Sequence, residues 1–276
     1  MIEYQSAKVY SIRPLLEGII VGLAILLVAV ITTYFILHHA LIAEKQEIRE
    51  GMLRQAKIIA TLIDGDAHPM FIDPSQEDSS EYQANILPLG RGLLESCDKR
   101  LSEYEEIFDL ANGCSLIFIY TVILKNEKVY YILDPWPSDI ESPDSPGVEM
   151  KSHIMDEYPD ANPHMIHALK NQMADTTEVY ADEWGHFISA YAPFYNSKGE
   201  FVGIVGIDMK ADRYVKRLEP IKRAATRAFL AVSIIAYLVG ATVWFLRRFI
   251  LIINTKRLAL LDAYLKLHRE LKQGNE

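Results

Sequence analysis

The sequence predicts an α+β domain: an antiparallel sheet with helices to one side, preceded by a long stalk helix and flanked by two transmembrane helices. Three observations support this fold class. Two apolar runs, 18–37 and 228–246, contain no charged residue. The segment 41–64 repeats apolar residues at helical spacing. The segments 114–134 and 183–209 combine aromatic and β-branched residues with turn residues, which is typical of two β-hairpins.

The two apolar runs are long enough to cross a bilayer. They contain twenty and nineteen residues, and a helix of that length, at ~1.5 Å rise per residue, spans about the ~30 Å hydrocarbon core. The first run exceeds the ~7–15 apolar residues of a signal peptide, which favours an uncleaved anchor. We therefore expect five parts: an N-terminal tail (1–14), a first transmembrane helix (15–38), an outer domain (39–223), a second transmembrane helix (224–246) and a cytoplasmic helix with a short coiled-coil stripe (247–276).

The distribution of charge predicts the orientation of these parts. The segment 247–276 has seven Lys and Arg against three acidic residues, whereas the segment between the apolar runs has nineteen against thirty-two. Arg247 and Arg248 directly follow the second run, so the positive-inside rule places both termini in the cytoplasm. The acidic outer domain argues against nucleic acid as a partner, because phosphates require a basic surface.

The elements of the outer domain follow from local pattern and turn residues. The stalk helix 41–64 has apolar residues at Ile42, Ile48, Met52, Ile59 and Ile63 and should end at Gly65. We then expect a polar loop (73–83), a helix (90–111), two strands (114–125 and 128–134) linked by Asn126-Glu127, a proline-rich loop (135–147), a short helix (162–173), a second hairpin turning at 196–199, and an exit helix that contains Pro220.

The second hairpin places a carboxylate beside a gap. If Tyr195 pairs with Glu200, alternation along the strands puts one set of residues on a common face: Phe187, Ser189, Tyr191, Pro193, Val202, Ile204, Gly206 and Asp208. Gly206 then leaves space next to Asp208, and a carboxylate among aromatic rings suits a small cationic ligand. The alternatives are that Asp208 is the N-cap of the next helix and that Trp184 and Tyr191 are core aromatics.

Several segments resemble the extracytoplasmic Cache, or PAS-like, sensor domains of bacterial receptors. They are IDGDAH (63–68), FIYTVILKNEKVYYILDPWP (118–137), SPG (145–147) and ADEWGHFISAYAPFYNSKGEFVGIVGIDM (181–209). The pattern W-G-x(3)-S-x(3)-P…G-x(3)-G-x(2)-G-x-D is fairly specific to that superfamily. Similar domains, covering the equivalent of residues 40–225, precede histidine kinases, chemoreceptors and nucleotide cyclases.

The resemblance implies a function and a set of site residues. It implies a PAS-like sheet and a ligand pocket bordered by Tyr120, Tyr131, Asp134, Trp184, Tyr191 and Asp208. Amine and amino-acid sensors of this superfamily bind the ligand's ammonium group with an aspartate of the last strand, which matches Asp208. The implied protein is a non-enzymatic sensor of the bacterial inner membrane, with no cofactor, that dimerises along its stalk and membrane helices and passes its signal to a separate cytoplasmic protein.

The sequence also fits other interpretations. A non-sensing envelope scaffold would use the same fold as a docking platform and would fill the pocket with side chains. His164 and His167 are spaced like one edge of a metal site, but ordinary surface positions explain them and we expect no metal. Asp64, Asp66 and His68 fit a helix-terminal cap. Cys97 and Cys114 could be paired or free.

Overall fold

The computed structural model describes residues 13–96, 116–138, 140–141, 147–182 and 184–273. These residues form four α-helices, six strands and two 3₁₀ turns at His68–Met70 and Pro74–Gln76. The helices are α1 (Pro14–Ala60), α2 (Ser80–Glu95), α3 (Pro163–Asn171) and α4 (Ala211–Gln273). The strands are β1 (Phe118–Lys125), β2 (Lys128–Leu133), β3 (Asp175–Thr176), β4 (Tyr180–Asp182), β5 (Gly185–Tyr195) and β6 (Phe201–Lys210).

All strand pairs of the sheet are antiparallel, in the order β2-β1-β6-β5-β3, with β4 also paired to β5. This confirms the predicted α+β class. One face of the sheet packs against α1 and α2 through a core that includes Ile119, Ile188 and Val205. The other face is covered by α3 and by the segment around Trp136 and Tyr158. The helices therefore lie on both faces rather than on one side.

The stalk part of α1 packs into the core of its own domain. Ile48 and Met52 are each only 2% exposed and belong to the core beneath the sheet, whereas Ile42 is 47% exposed. The helix ends at Ala60, four residues before the predicted end. Since the apolar stripe is buried within one chain, its periodicity gives no support to a dimer interface along that stripe.

We expect Gly51→Ala to stabilise the outer domain. Gly51 lies inside α1, and a Cβ there would meet only the end of the Arg54 side chain at 3.8 Å, an ordinary contact. Alanine has a higher helix propensity than glycine by up to ~1 kcal/mol. Thermal unfolding of the full chain should show a melting temperature a few degrees higher; a decrease would mean that this helix face is covered.

The helix α2 starts ten residues earlier than predicted. Its first turn is held by the Ser79 hydroxyl, which accepts from the backbone N–H of Tyr82 at 3.1 Å, and Tyr82 is fully buried. The last four residues of the predicted polar loop therefore belong to α2, and Pro88 lies inside this helix. The remainder of the predicted helix 90–111, with Cys97 and Cys114, lies outside the described residues.

The first hairpin has the predicted two-residue turn. Asn126 and Glu127 both have positive φ, 53° and 61°, the conformation that gives adjacent strands the correct twist. In the second hairpin Gly199 has φ 77°, and its N–H donates to the Asn196 carbonyl, as expected of the turn.

The predicted register of the second hairpin is wrong by two residues. Ser189 pairs with Asp208 and Tyr191 with Gly206. One residue of the shift arises because Tyr195 pairs with Phe201 instead of Glu200, and the other from a bulge between Phe194 and Tyr195. A shift of two leaves the faces unchanged. Beyond the bulge they do change: Val202 packs against the core under α1 and not on the Asp208 side.

Residues 13–40 and 221–273 belong to a second compact unit. Both of its helices, α1 and α4, contain stretches long and apolar enough to cross a membrane. Small residues bring them together, since a Cβ on Gly18 would lie 2.7 Å from the Gly240 carbonyl oxygen. Glu17 Oε2 lies 2.8 Å from Arg247 Nε. The two predicted spans therefore pair with each other. Arg247, which the charge pattern used to predict orientation, also forms an ion pair with Glu17.

Candidate functional site

Five of the six predicted site residues meet at one small cavity between the sheet and the covering segment. The cavity is lined by Tyr120, Tyr131, Asp134, Trp184 and Asp208, together with Phe118, Met150, Ser152 and Asp182. Its volume is about 10 Å³, which is room for about one water molecule. The side chains are closed over the site in this state.

Asp208 is the buried carboxylate of this cavity. It lies in β6 opposite Ser189, is 3% exposed, and accepts a long hydrogen bond of 3.4 Å from the Tyr120 hydroxyl. Burial raises the pKa of its carboxyl to about 8, because the low-dielectric surroundings disfavour the charged form. The alternative that Asp208 is an N-cap is wrong: β6 continues to Lys210, and the carboxylate contacts neighbouring strands.

The predicted gap at Gly206 is filled by Tyr120. These two residues are paired between β6 and β1, and a Cβ on Gly206 would lie 2.5 Å from Cε2 of the Tyr120 ring. The glycine thus lets the ring lie flat on the sheet, with its hydroxyl directed to Asp208. Because Gly206 has no side chain, the Tyr120 ring can occupy this position, and no free space remains there.

Two further carboxylates, Asp134 and Asp182, border the cavity. Both accept hydrogen bonds from the segments that cover it. Asp134 accepts from the backbone N–H groups of Trp136 and Ser152, each at 2.9 Å. Asp182 accepts from the N–H of Trp184 at 3.0 Å and from the hydroxyl of Tyr158 at 2.9 Å. Burial raises the pKa of Asp134 to about 6 and also raises that of Asp182.

An aromatic wall closes the outer side. Trp184 packs edge-on against Tyr131, Tyr158 and Phe118, with ring centroids 5.7–6.4 Å apart. Its indole N–H donates to the Glu149 carbonyl at 2.8 Å. Opening the cavity therefore requires Trp184 and the segment around Glu149 to move, and Trp184 fluorescence should report that movement.

Tyr191 does not line the cavity. It is fully buried, and its hydroxyl accepts a short hydrogen bond from the side-chain amide of Asn162, which caps α3. The alternative interpretation of Tyr191 as a core aromatic fits this position. The sequence reasoning missed Asp182, although it stands in the quoted motif two residues before Trp184, a spacing at which an aspartate often accepts from the backbone of a turn.

No basic side chain is among the cavity-lining residues that the structure describes. The nearby Lys151 is 8% exposed and lies 3.1 Å from Glu77 Oε2, so its charge is already engaged. Arg91 is exposed on α2, and Arg100 lies outside the described residues. The carboxylate of Asp208 therefore faces hydroxyls and aromatic rings with no described counter-ion.

The other candidate polar residues have structural contacts. Asp64 accepts from the N–H groups of residues 66 and 67, and Asp66 accepts from Ser197 in the second hairpin turn. His68 was predicted to be part of a helix-terminal cap. It is instead a buried residue whose Nε2 lies 2.8 Å from the Thr121 hydroxyl. His164 and His167 both contact Asp175. Within the described residues, no cluster of three or more His, Cys, Asp or Glu is arranged to hold a metal ion.

We expect stability to fall as pH rises from 6.5 to 8. The pKa of Asp208 is about 8 in the folded protein and 3.8 in the unfolded chain. Its contribution to the free energy of unfolding is therefore complete below pH 3.8 and is lost by pH 8, at ~1.4 kcal/mol per pH unit. His68 acts oppositely: burial lowers its pKa from 6.5 to about 3, so its contribution is lost only as pH falls below 6.5. Thermal unfolding between pH 6.5 and 8 measures the slope, and Asp208→Asn should flatten it; equal slopes in both proteins would contradict the assignment.

Neither a protein-family model nor a curated protein sequence matches this chain. Among solved structures it is similar to the ligand-binding domain of the Campylobacter jejuni chemoreceptor Tlp3 in complex with L-valine, with 14% identity and a TM-score of 0.38 over 73% of this chain and 66% of that one. It is also similar to the ligand-binding domain of the Pseudomonas aeruginosa amino-acid chemoreceptor PctC in complex with GABA, with 16% identity and a TM-score of 0.24 over 57% and 65%.

The chain spans about two thirds of the length of these domains. Both of these structures are ligand-binding domains of bacterial chemoreceptors.

Proposed function

We propose that this chain is a membrane-anchored sensor whose outer domain binds a small cationic molecule and passes a conformational signal to a separate cytoplasmic protein. It would be a two-span protein of the bacterial inner membrane, with both termini cytoplasmic, the domain 39–223 outside, and a homodimer as the functional unit. The observation that carries the proposal is Asp208, a buried carboxylate without a described counter-ion in an aromatic cavity. A cationic ligand would supply the missing charge.

An amine is favoured over an α-amino acid. A carboxylate on the ligand would require a basic group, and the described lining residues include none, while Lys151 is engaged with Glu77. Asp134, Asp182 and Asp208 instead make the surroundings acidic, which repels a ligand carboxylate. Aromatic rings such as those of Tyr131 and Trp184 add favourable cation–π contacts. We therefore place amines first and amino acids second.

Signalling would follow from opening of the closed cavity. A ligand larger than one water must displace Trp184 and the segment around Glu149, and it would select whatever open state the domain already samples. The stalk packs on the opposite face of the same sheet through Ile48 and Met52, and α4 begins directly after β6. A change in the strand that holds Asp208 would thus act on both helices that lead to the membrane.

The small cavity also favours the alternative of a non-sensing scaffold, because a docking platform would be filled with side chains. A thermal-shift screen of the full chain in nanodiscs against alkylamines, diamines, polyamines, amino acids and organic acids separates the two. Amines that raise the melting temperature support the sensor. Stabilisation only by organic acids would contradict an acidic cation site, and stable protein with no response would favour the scaffold.

A further inference from the structure

The cytoplasmic end of α4 exposes two apolar faces. Face A comprises Asn254, Leu258, Leu261, Leu265 and His268, and face B comprises Arg257, Leu260, Tyr264, Leu267 and Leu271. Every leucine of both faces is at least 44% exposed. Each set repeats at alternating intervals of three and four residues, which is the heptad spacing of a helix–helix contact.

The two faces require two different neighbours. Each face B residue directly precedes a heptad position of face A, so the faces lie about 100° apart around the helix. A two-stranded coiled coil covers only one narrow stripe, whereas an apolar surface this wide fits a helix in a bundle of four. One second copy of this chain would therefore leave one face uncovered.

Polar residues within the faces distinguish the neighbours. On face A, Asn254 and His268 occupy core positions, and asparagine against asparagine is compatible with a second copy in register. On face B, Arg257 lies among Leu260 and Tyr264. A second copy paired through that face would place Arg257 against Arg257, and like charges at a buried contact are unfavourable. Asp262 does not neutralise it, since that carboxylate lies 3.1 Å from Lys266.

The membrane surface is a poor occupant of face B. A basic amphipathic helix can lie on anionic lipid, but α4 runs as a single helix from Ala211 to Gln273. Residues 254–271 belong to the same uninterrupted helix as the membrane-spanning part, and a helix without a break does not turn to lie flat on the bilayer. A partner helix parallel to α4 can cover the whole face.

We propose that face B binds an amphipathic helix of a separate cytoplasmic protein, with an aspartate or glutamate opposite Arg257, and that face A binds a second copy of this chain. Two chains and two partner helices would then complete a four-helix bundle. The proposal names the partner contact of the function proposed above and rests on it for the cytoplasmic location of residues 247–276.

Site-specific photo-crosslinking of the full chain in its native membranes tests this, with benzoylphenylalanine at position 260 on face B, 261 on face A or 259 on the polar side. We expect position 261 to give a product of two chains. Position 260 should give a product with a different protein, and position 259 neither. Arg257→Glu should reduce the face B product at least tenfold and leave the face A product unchanged, whereas Arg257→Lys should retain both.

Charge exchange completes the test. The acidic residue of the crosslinked protein that faces Arg257, when changed to arginine, should restore the face B product with Arg257→Glu. A face B product made only of two chains, no face B product, or a yield unaffected by Arg257→Glu or not restored by the exchange would overturn the proposal. No amine is added, so these outcomes are independent of the ligand screen.

Discussion

Replacing Asp208 with asparagine is expected to abolish amine binding and, in the same protein, to raise the melting temperature without ligand. Loss of binding follows because the ammonium group would lose its only proposed counter-charge in a closed cavity. Removing one partner of a buried ion pair costs about 3–5 kcal/mol, which is more than 100-fold in affinity.

The same substitution should stabilise the protein without ligand. The reason is that the carboxylate of Asp208 destabilises the folded state when no ligand is bound. Its pKa of about 8 means that folding opposes its ionisation at neutral pH. An asparagine amide occupies the same volume, accepts from the Tyr120 hydroxyl and donates to Ser189 without a charge. We expect a gain of about 1–3 kcal/mol, or several degrees in melting temperature.

Thermal unfolding and calorimetric titration with the best amine of the screen measure both effects. Asp134→Asn is the matched control, because both Asp134 oxygens accept from backbone N–H groups and an amide can accept at only one of them. That variant should lose about 1–3 kcal/mol of stability through the unpaired N–H. If Asp208→Asn were as destabilising as Asp134→Asn, Asp208 would be a structural carboxylate and the sensor proposal would fail.

The second large effect is expected for Gly206→Ala, which should weaken both folding and amine binding. The added methyl group would lie 2.5–2.6 Å from two atoms of the Tyr120 ring. Tyr120 is 4% exposed and lies against Tyr131, with ring centroids 5.3 Å apart, so it has little space to retreat. Overpacking of this kind costs about 1–3 kcal/mol, and displacement of the ring would take its hydroxyl away from Asp208.

Urea or thermal unfolding measures the first effect, and titration with the same amine measures the second, where we expect at least a tenfold loss. Gly51→Ala provides the matched glycine control and should change stability in the opposite direction. Adding Tyr120→Leu to Gly206→Ala should recover part of the stability but not the binding. Unchanged stability in Gly206→Ala would show that Tyr120 does not lie against the glycine in solution.

Much of this fold could be predicted because its information is local. The spacing of Ile48, Met52 and Ile59 makes a helix, the Asn126-Glu127 link makes a hairpin, and two uncharged runs make apolar spans, each independent of distant residues. The shared face of Ser189 and Asp208 was predicted correctly despite the wrong register. Alternation has a period of two, so a shift of two residues returns every side chain to its side.

Tertiary structure alone decided what these residues contact. The apolar stripe of Ile48 and Met52 packs against the domain's own sheet. The same helical spacing would suit a contact with a second chain, so the spacing alone could not identify the surface that covers it. The gap at Gly206 was filled by Tyr120 from a strand more than eighty residues away. Asp134 directly follows β2 and accepts from two backbone N–H groups, whereas Asp208 lies within β6 and accepts from the Tyr120 hydroxyl. Distant segments set the neighbours, the burial and therefore the pKa of each group, and no local pattern in the sequence contains those distances.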